Sequence, residues 1–331
     1  MDVDEAQTGS RTRSRPRQRI TQRPTRRNAG RNSTRLGNIF QDFDEKQKPS
    51  PADLMNHREG LFREAFPRTS KQDTQNMKPD IFPEHKPLLS SPDANAKLRH
   101  SGTESHAAWS LSLSPGSSEI CPHATSGCRF SCVGTGGLAR AFSSISETRQ
   151  QKTDFLLEQP ERFLARLEGE IRAVISRHRD TALIPLFRLN AFSDIVWELV
   201  APQIFLIPGI RCYDYSKNPA RCSLPNYSLT FSRSENNEHH ALQWLERGDN
   251  VSVVFHELGN FANHGAYAQR LPKKWRGYTV IDGDRSDFRC LDPVALPGHP
   301  GYVIGLRLKG GIREREKAIE TGFSVPSADW L

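Results

Sequence analysis

Between Leu186 and Leu306 six short apolar runs recur, each stopped by a polar cluster, and this pattern confines the chain to a small set of sheet architectures. The runs are Leu186 to Leu189, Arg211 to Tyr215, Tyr227 to Phe231, Val251 to Phe255, Tyr278 to Ile281 and Tyr302 to Leu306. β-Branched and aromatic residues dominate them, as a buried sheet requires. An earlier strand, Trp109 to Leu113, precedes the series. A helical stretch follows it: Glu147 to Phe155 leads to Gln159-Pro160, and Pro160 suits the first turn of a second helix. In that helix Phe163, Leu164, Leu167, Ile171, Val174 and Ile175 recur at steps of three and four, one apolar stripe that must pack on a sheet. A further helix is predicted from Asp194 to Leu199, capped by Ser193 or Asp194. The turn from Asn218-Pro219 to Pro225-Asn226 is too short for one. The fold class is therefore α/β, and the predicted architecture is an irregular, partly open (β/α) barrel.

The polar stops carry the functional information. They are Asn190 with Ser193-Asp194, Asp214 with Ser216-Lys217, Ser232-Arg233-Ser234-Glu235, His256-Glu257, Asp282-Gly283-Asp284 with Asp287, and Lys309-Gly310-Gly311. Parallel α/β folds build their sites from loops at the carboxyl ends of strands. Loops are polar in any case, but a polar cluster after every strand predicts a site at one mouth of the sheet. Asp214, Lys217, Arg233, Glu235, Asp282 and Asp284 are the candidates for catalytic or substrate contacts. Asn190, Ser193 and Asp194, with Gly136 and Gly137, are the candidates for cofactor contacts. Asp282, Asp284 and Asp287 would repel one another unless compensated, and Arg285 and Arg289 lie close by in sequence.

Half of the six cysteines fall in the loop after the first strand, at Cys121, Cys128 and Cys132, before the glycines Gly134, Gly136 and Gly137. Three thiolates at C-x6-C-x3-C leave one coordination position open, which suits a substrate-binding [4Fe–4S] cluster or a zinc with its fourth ligand from elsewhere. His123, inside the loop, is a candidate for that ligand. A buried cluster of reduced cysteines is the structural alternative. Cys212, Cys222 and Cys290 lie near strands and read as small core residues. Other signatures fail: no second histidine follows His256-Glu257 at zinc-protease spacing, and Asp282 to Asp287 lacks the glycine and terminal glutamate of a calcium hand.

Charge separates the chain into two parts. Of the formal net charge of +8, residues 1–40 hold +7, from ten arginines against Asp2, Asp4 and Glu5. With no apolar period the segment cannot offset the entropy of ordering, and the mean hydropathy of −0.64 fits a chain packed over only part of its length. Residues 1–105 are predicted to be a disordered Arg-rich tail and linker, with one helical candidate at Ala52 to Phe66, and residues 106–331 a single barrel-like domain. Arginines 11–35 could neutralise phosphates of DNA or RNA without sequence preference, having no aromatics to stack on bases. No apolar run approaches the roughly 20 residues a membrane span requires, so a cytoplasmic protein with reduced cysteines is expected.

Several of these segments resemble the phage and plasmid gene product 88 family. They are Cys121-Pro122-His123-Ala124-Thr125 with Cys128 and Cys132, Gln151 to Phe155 with Pro160, Phe163 and Leu167, Arg188-Leu189-Asn190 with Ser193-Asp194, Tyr213 to Asn218, Leu229 to Glu235, and Asp282-Gly283-Asp284 with Asp287. The resemblance covers roughly residues 109–325 and implies a common fold. A more distant likeness is to radical S-adenosylmethionine enzymes, whose partial barrel carries three cluster-binding cysteines after its first strand, at C-x3-C-x2-C spacing that this loop does not share. That likeness implies a [4Fe–4S] cluster and S-adenosylmethionine. The favoured expectation is a metal- or iron–sulfur-dependent enzyme of radical type. The competing one is a nucleic-acid-binding replication or mobile-element protein with a structural cysteine cluster.

Overall fold

The computed structural model describes residues 81–94, 98, 101–103, 105–136, 141–257 and 270–327. The arginine tail, the helical candidate at Ala52 to Phe66 and Gly137 lie outside them. Ten strands form one mixed sheet. In chain order they are β1 (Leu89–Ser90), β2 (His106–Leu111), β3 (Ile184–Arg188), β4 (Cys212–Ser216), β5 (Tyr227–Ser232), β6 (Val251–His256), β7 (Lys274–Trp275), β8 (Tyr278–Asp282), β9 (Val303–Arg307) and β10 (Val325–Pro326). Neighbours run β1-β2-β3-β4-β5-β6-β9-β8-β7, with β10 on β6. All pairs from β2 through β8 are parallel. The edge strands β1 and β7 are antiparallel to their neighbours. Every strand expected from the sequence is present, shifted by one to three residues.

Helices α1 (Ser126–Phe130), α2 (Ser143–Glu158), α3 (Pro160–Arg177), α4 (Trp197–Val200), α5 (Glu238–Glu246) and α6 (Ile312–Glu320) connect the strands. The apolar stripe of α3 is buried through Phe163, Leu164, Leu167, Ile171 and Val174. It packs with Trp109, Phe187, Cys212 and Leu229 of the sheet in the main core, where each fully buried large apolar side chain contributes about 1.5–3 kcal/mol.

The ten-stranded sheet is not closed, so the partly open barrel expected from the sequence is present only as an open mixed sheet. Two-residue antiparallel strands occupy both ends of the order, so among the described residues no backbone pairing joins β2 to β8. What crosses the inner face instead is the loop after β8. Phe288 packs edge-on against Tyr213 of β4, with ring centroids 6.1 Å apart, and Asp287 pairs with Arg188 of β3 at 2.5 Å. A second apolar cluster of Leu98, Ala108, Leu186, Tyr213 and Phe288 fills this face.

Two further differences from the sequence reading have local causes. The predicted helix at Asp194 to Leu199 shrinks to Trp197–Val200 because Asn190 organises the residues before it. Its Oδ1 accepts from Ile195 N, Trp197 Nε1 and Ser193 Oγ, and its Nδ2 donates to Ile195 O. The packed chain also starts well before Ala107. Phe82, Leu88 and Leu89 are buried in the main core, and Glu170 of α3 accepts from Leu88 N and Leu89 N at 2.8 Å each.

Charged hydrogen bonds of this kind contribute about 1.5–3 kcal/mol each before loss of cooperativity. Glu170→Ala should therefore lower stability by about 2–3 kcal/mol in urea denaturation. Glu168→Ala, which removes only an exposed pairing with Arg172, should cost under about 0.5 kcal/mol. Equal effects from the two variants would mean that the docking of residues 81–90 is not held by Glu170.

Candidate active site

A cavity of about 240 Å³ opens at the carboxyl ends of the parallel strands. Its walls come from the cysteine loop, the loops after β3 and β4, the inner faces of β5 and β6, the end of β9 and Phe323. This is the mouth predicted from the polar stops. In open parallel sheets ligands bind at strand carboxyl ends because the connecting loops there are free to vary.

Cys121, Cys128 and Cys132 all line it. Thr125 caps α1 by accepting from Cys128 N, which sets the loop's turn into the helix. The cap is itself held by Glu235: the carboxylate accepts from Thr125 Oγ1 at 2.8 Å, Ser126 Oγ at 3.3 Å and Gly127 N at 2.7 Å. Gly127 permits the approach, since a Cβ there would lie 2.6 to 2.8 Å from Thr321, Glu235 and Phe323 atoms. Burial pushes the Cys121 thiol up to about 11, reinforced by Cys128 and Cys132. Cys132 is raised as well, again chiefly by burial.

Lys217 stands opposite. Burial works against its ammonium, but Cys128, which it hydrogen-bonds, together with Asp194 and Cys121 outweighs that and holds its pKa above the ordinary lysine value. Its Nζ also donates to Ser232 Oγ at 3.0 Å.

The other predicted residues divide between the cavity and its supports. Asn190, Ser193, Asp194 and Asp284 line the cavity, with their polar atoms largely engaged. Asp194 accepts from Ser216 Oγ and Lys217 N, and Asp284 from Arg307 N and Lys309 Nζ. Asp282 lies behind, in a two-pronged pair with Arg307 at 2.7 and 3.0 Å. Arg233 donates to the carbonyls of Gly322 and Phe323, tying the carboxyl-terminal segment down. Glu235 is the support of α1 just described. Gly136 does not line the cavity, and a Cβ there would meet nothing within 4 Å. Asp214 points away, fully buried, accepting from Asn190 N and Tyr227 Oη at 2.8 Å each.

The three carboxylates after β8 are compensated, chiefly by cations distant in sequence. Arg307 and Lys309 take Asp282 and Asp284, and Arg188 takes Asp287. Of the sequence neighbours, Arg289 turns to Asp292, and the exposed Arg285 reaches Asp282 only loosely, at 3.9 Å. Sequence reading missed Arg188, Tyr215 and Arg307 as wall residues. The available signal was a cation or tyrosine near the carboxyl end of β3, β4 and β9.

Among the described residues no group of three or more His, Cys, Asp or Glu side chains is drawn closely enough together to hold a metal ion. The expected ligand set is thus not assembled around one point as the side chains stand. Cys121 Sγ turns to the Phe192 carbonyl at 3.4 Å, and Cys128 faces Lys217.

An open, mostly parallel α/β sheet with a thiol- and cation-walled cavity at its carboxyl mouth defines the class of protein. Within it, the chain belongs to the Gene product 88 family, a phage-related family whose model matches residues 87–324. No curated protein and no solved structure matches the chain. The likeness to radical S-adenosylmethionine enzymes finds no support in these comparisons. Among the described residues no helix is long and apolar enough to cross a membrane.

Burial raises the Asp214 carboxyl from 3.8 to about 7, despite Arg188 and the hydrogen bonds it accepts. A folded-state pKa above the unfolded value means stability that is fully present below about pH 4 and lost as pH rises toward 7. Relative to Asp214→Asn, the wild-type chain should lose at most ~4 kcal/mol across that window. Urea midpoints measured at several pH values check this, and parallel pH profiles for the two proteins would contradict it.

Proposed function

We propose that the chain is a metal-dependent enzyme in which Cys121, Cys128 and Cys132 ligate a soft metal or iron–sulfur cluster and the adjoining cavity takes the substrate. One observation carries the reading: three thiols spread over twelve residues line a single cavity, with half-buried Lys217 reaching Cys128. In donor chemistry the residues fit the group, since three soft ligands and an open position suit a [4Fe–4S] cluster or a zinc. Mutual repulsion and burial disfavour thiolates here, and a bound cation reverses that preference because only thiolates ligate. To hold it, Cys121, Cys128 and Cys132 would have to converge on one point, which their side chains do not do as they stand. The bound group would supply Lewis acidity or electron transfer to a molecule in the cavity. The chain's own groups do the rest: Lys217 balances the charge of the thiolates, Glu235 holds α1 in register, and Phe192 and Phe323 exclude water.

Protein purified under strict anaerobiosis should contain iron and sulfide, or zinc. Serine at Cys121, Cys128 or Cys132 should remove that content. Serine at Cys212, Cys222 or Cys290 should retain it, at a stability cost of about 1–2 kcal/mol for buried Cys212. Wild-type protein free of all three elements would overturn the reading.

A second reading rests on charge: the +7 of residues 1–40 favours non-specific binding of DNA or RNA through residues 11–35. Such binding should weaken by orders of magnitude between about 50 and 200 mM salt and vanish when those arginines become glutamine. Salt-independent binding, or binding retained without the arginines, would exclude it.

A further inference from the structure

The charged side chains around the cavity close on one another. Arg188 pairs with Asp287, and Arg307 and Lys309 hold Asp282 and Asp284. Arg221 pairs with Asp194 and Glu198, and Asp194 also steadies the Lys217 ammonium. Five cations thus meet five carboxylates, and no charge is left over to select an ion of either sign. The polar side chains between them are engaged in the same way, Asn190 by Ser193, Ile195 and Trp197, Ser216 by Asp194, and Ser232 by Lys217.

What the walls present to the cavity is mainly apolar. Val254 and Leu306 come from β6 and β9, Phe192 and Ala191 from the loop after β3, and Phe323 from the carboxyl-terminal segment. The Phe192 ring is braced from outside: the Arg149 guanidinium lies 4.2 Å from its centroid, and a Cβ on Gly134 would come within 2.8 Å of it. An ion entering such a space loses its hydration with no partner to replace it, whereas apolar surface gains by leaving water. The volume sets the size. About 240 Å³ is available, more than the roughly 150 Å³ of an apolar cavity that takes benzene and less than the roughly 300 Å³ at which drug-sized pockets begin.

From this arrangement we infer that the cavity binds a neutral, largely apolar molecule of one or two rings, packed against Phe192, Phe323 and Val254. A carboxylate, phosphate or ammonium group would enter uncompensated, since every wall ion already holds its partner. Two phenyl rings in the walls suit the flat face or edge of a third. The inference names the substrate class of the site proposed above, so it rests on the reading of this cavity as a substrate site, but not on the metal.

The test uses the full chain, with metal content determined on every sample. Benzyl alcohol and indole are the neutral probes, while benzoate and benzylammonium carry a similar ring with a charge of either sign. All are titrated by calorimetry and thermal melting at one ionic strength. The neutral probes should bind saturably at one site and raise the melting temperature, and the ions should bind about tenfold more weakly or worse. Phe323→Ala removes a wall but no charge, and its main-chain carbonyl still accepts from Arg233. Ala191→Leu instead fills part of the cavity, and it decides if Phe323→Ala fails to fold. Each should weaken indole binding about fivefold or more, whereas Phe130→Ala, at an exposed ring outside the cavity, should leave it unchanged. Ions that bind as well as the neutral probes, binding indifferent to both cavity variants, or binding lost in Phe130→Ala would overturn the inference. Neutral-probe binding in protein shown to carry no metal would uphold it while the metal reading falls, and metal-loaded protein that binds neither neutral probe would do the reverse.

Discussion

The ion pair between Arg188 and Asp287 is the contact on which the inner face of the sheet depends. Both side chains are largely out of solvent, Asp287 completely, so each relies on the other for its counter-charge. Removing one partner of such a pair costs about 3–5 kcal/mol because the remaining charge is stranded. The pair also fixes a distance. β3 and β8 are five strand spacings apart in the sheet, about 24 Å at the usual separation, yet a loop anchored at the end of β8 reaches β3. The sheet is open at its edges and bridged across its face. The cavity sits above that bridge, so the pair supplies both its floor and one of its cations.

Around the floor the support is polar rather than apolar, and it is layered. Asn190 fixes the loop after β3, Asp194 fixes the start of the loop after β4, and Glu235 after β5 fixes the cysteine helix. Residues that sequence reading nominated for chemistry thus hold other segments in place. A carboxylate accepting two or three hydrogen bonds is a rigid joint, and it has little capacity left for a substrate.

How much of this was legible in the chain follows from the range of each signal. Strands such as Val251–His256 and the stripe of α3 are local patterns, and they were readable to within a few residues. The cavity's position was readable as well, because polar stops at Asn190, Lys217, Ser232 and Lys309 follow strands directly. Pairings across long sequence separations were not. Arg307 lies 23 to 25 residues from Asp284 and Asp282, so nearer arginines looked like their partners. The two residues of β1 carry no period at all, which hid the docking of Leu88 and Leu89. The shortened helix at Trp197 reflects competition: the Asn190 side chain offers residues 193–197 better local bonds than a first helical turn could.

The wall formed by Phe323 and the Thr321 turn lies against Gly127, and Ser131 Oγ donates to the Glu314 carbonyl. One side of the cysteine pocket is therefore written roughly 190 residues after the cysteines themselves. During synthesis at about 5–20 residues per second, the thiols wait on the order of ten seconds or more for that wall to leave the ribosome. For this interval they stand in an unfinished pocket, open to oxidants and to ions alike. The order of translation thus presents the loop before its last wall is in place.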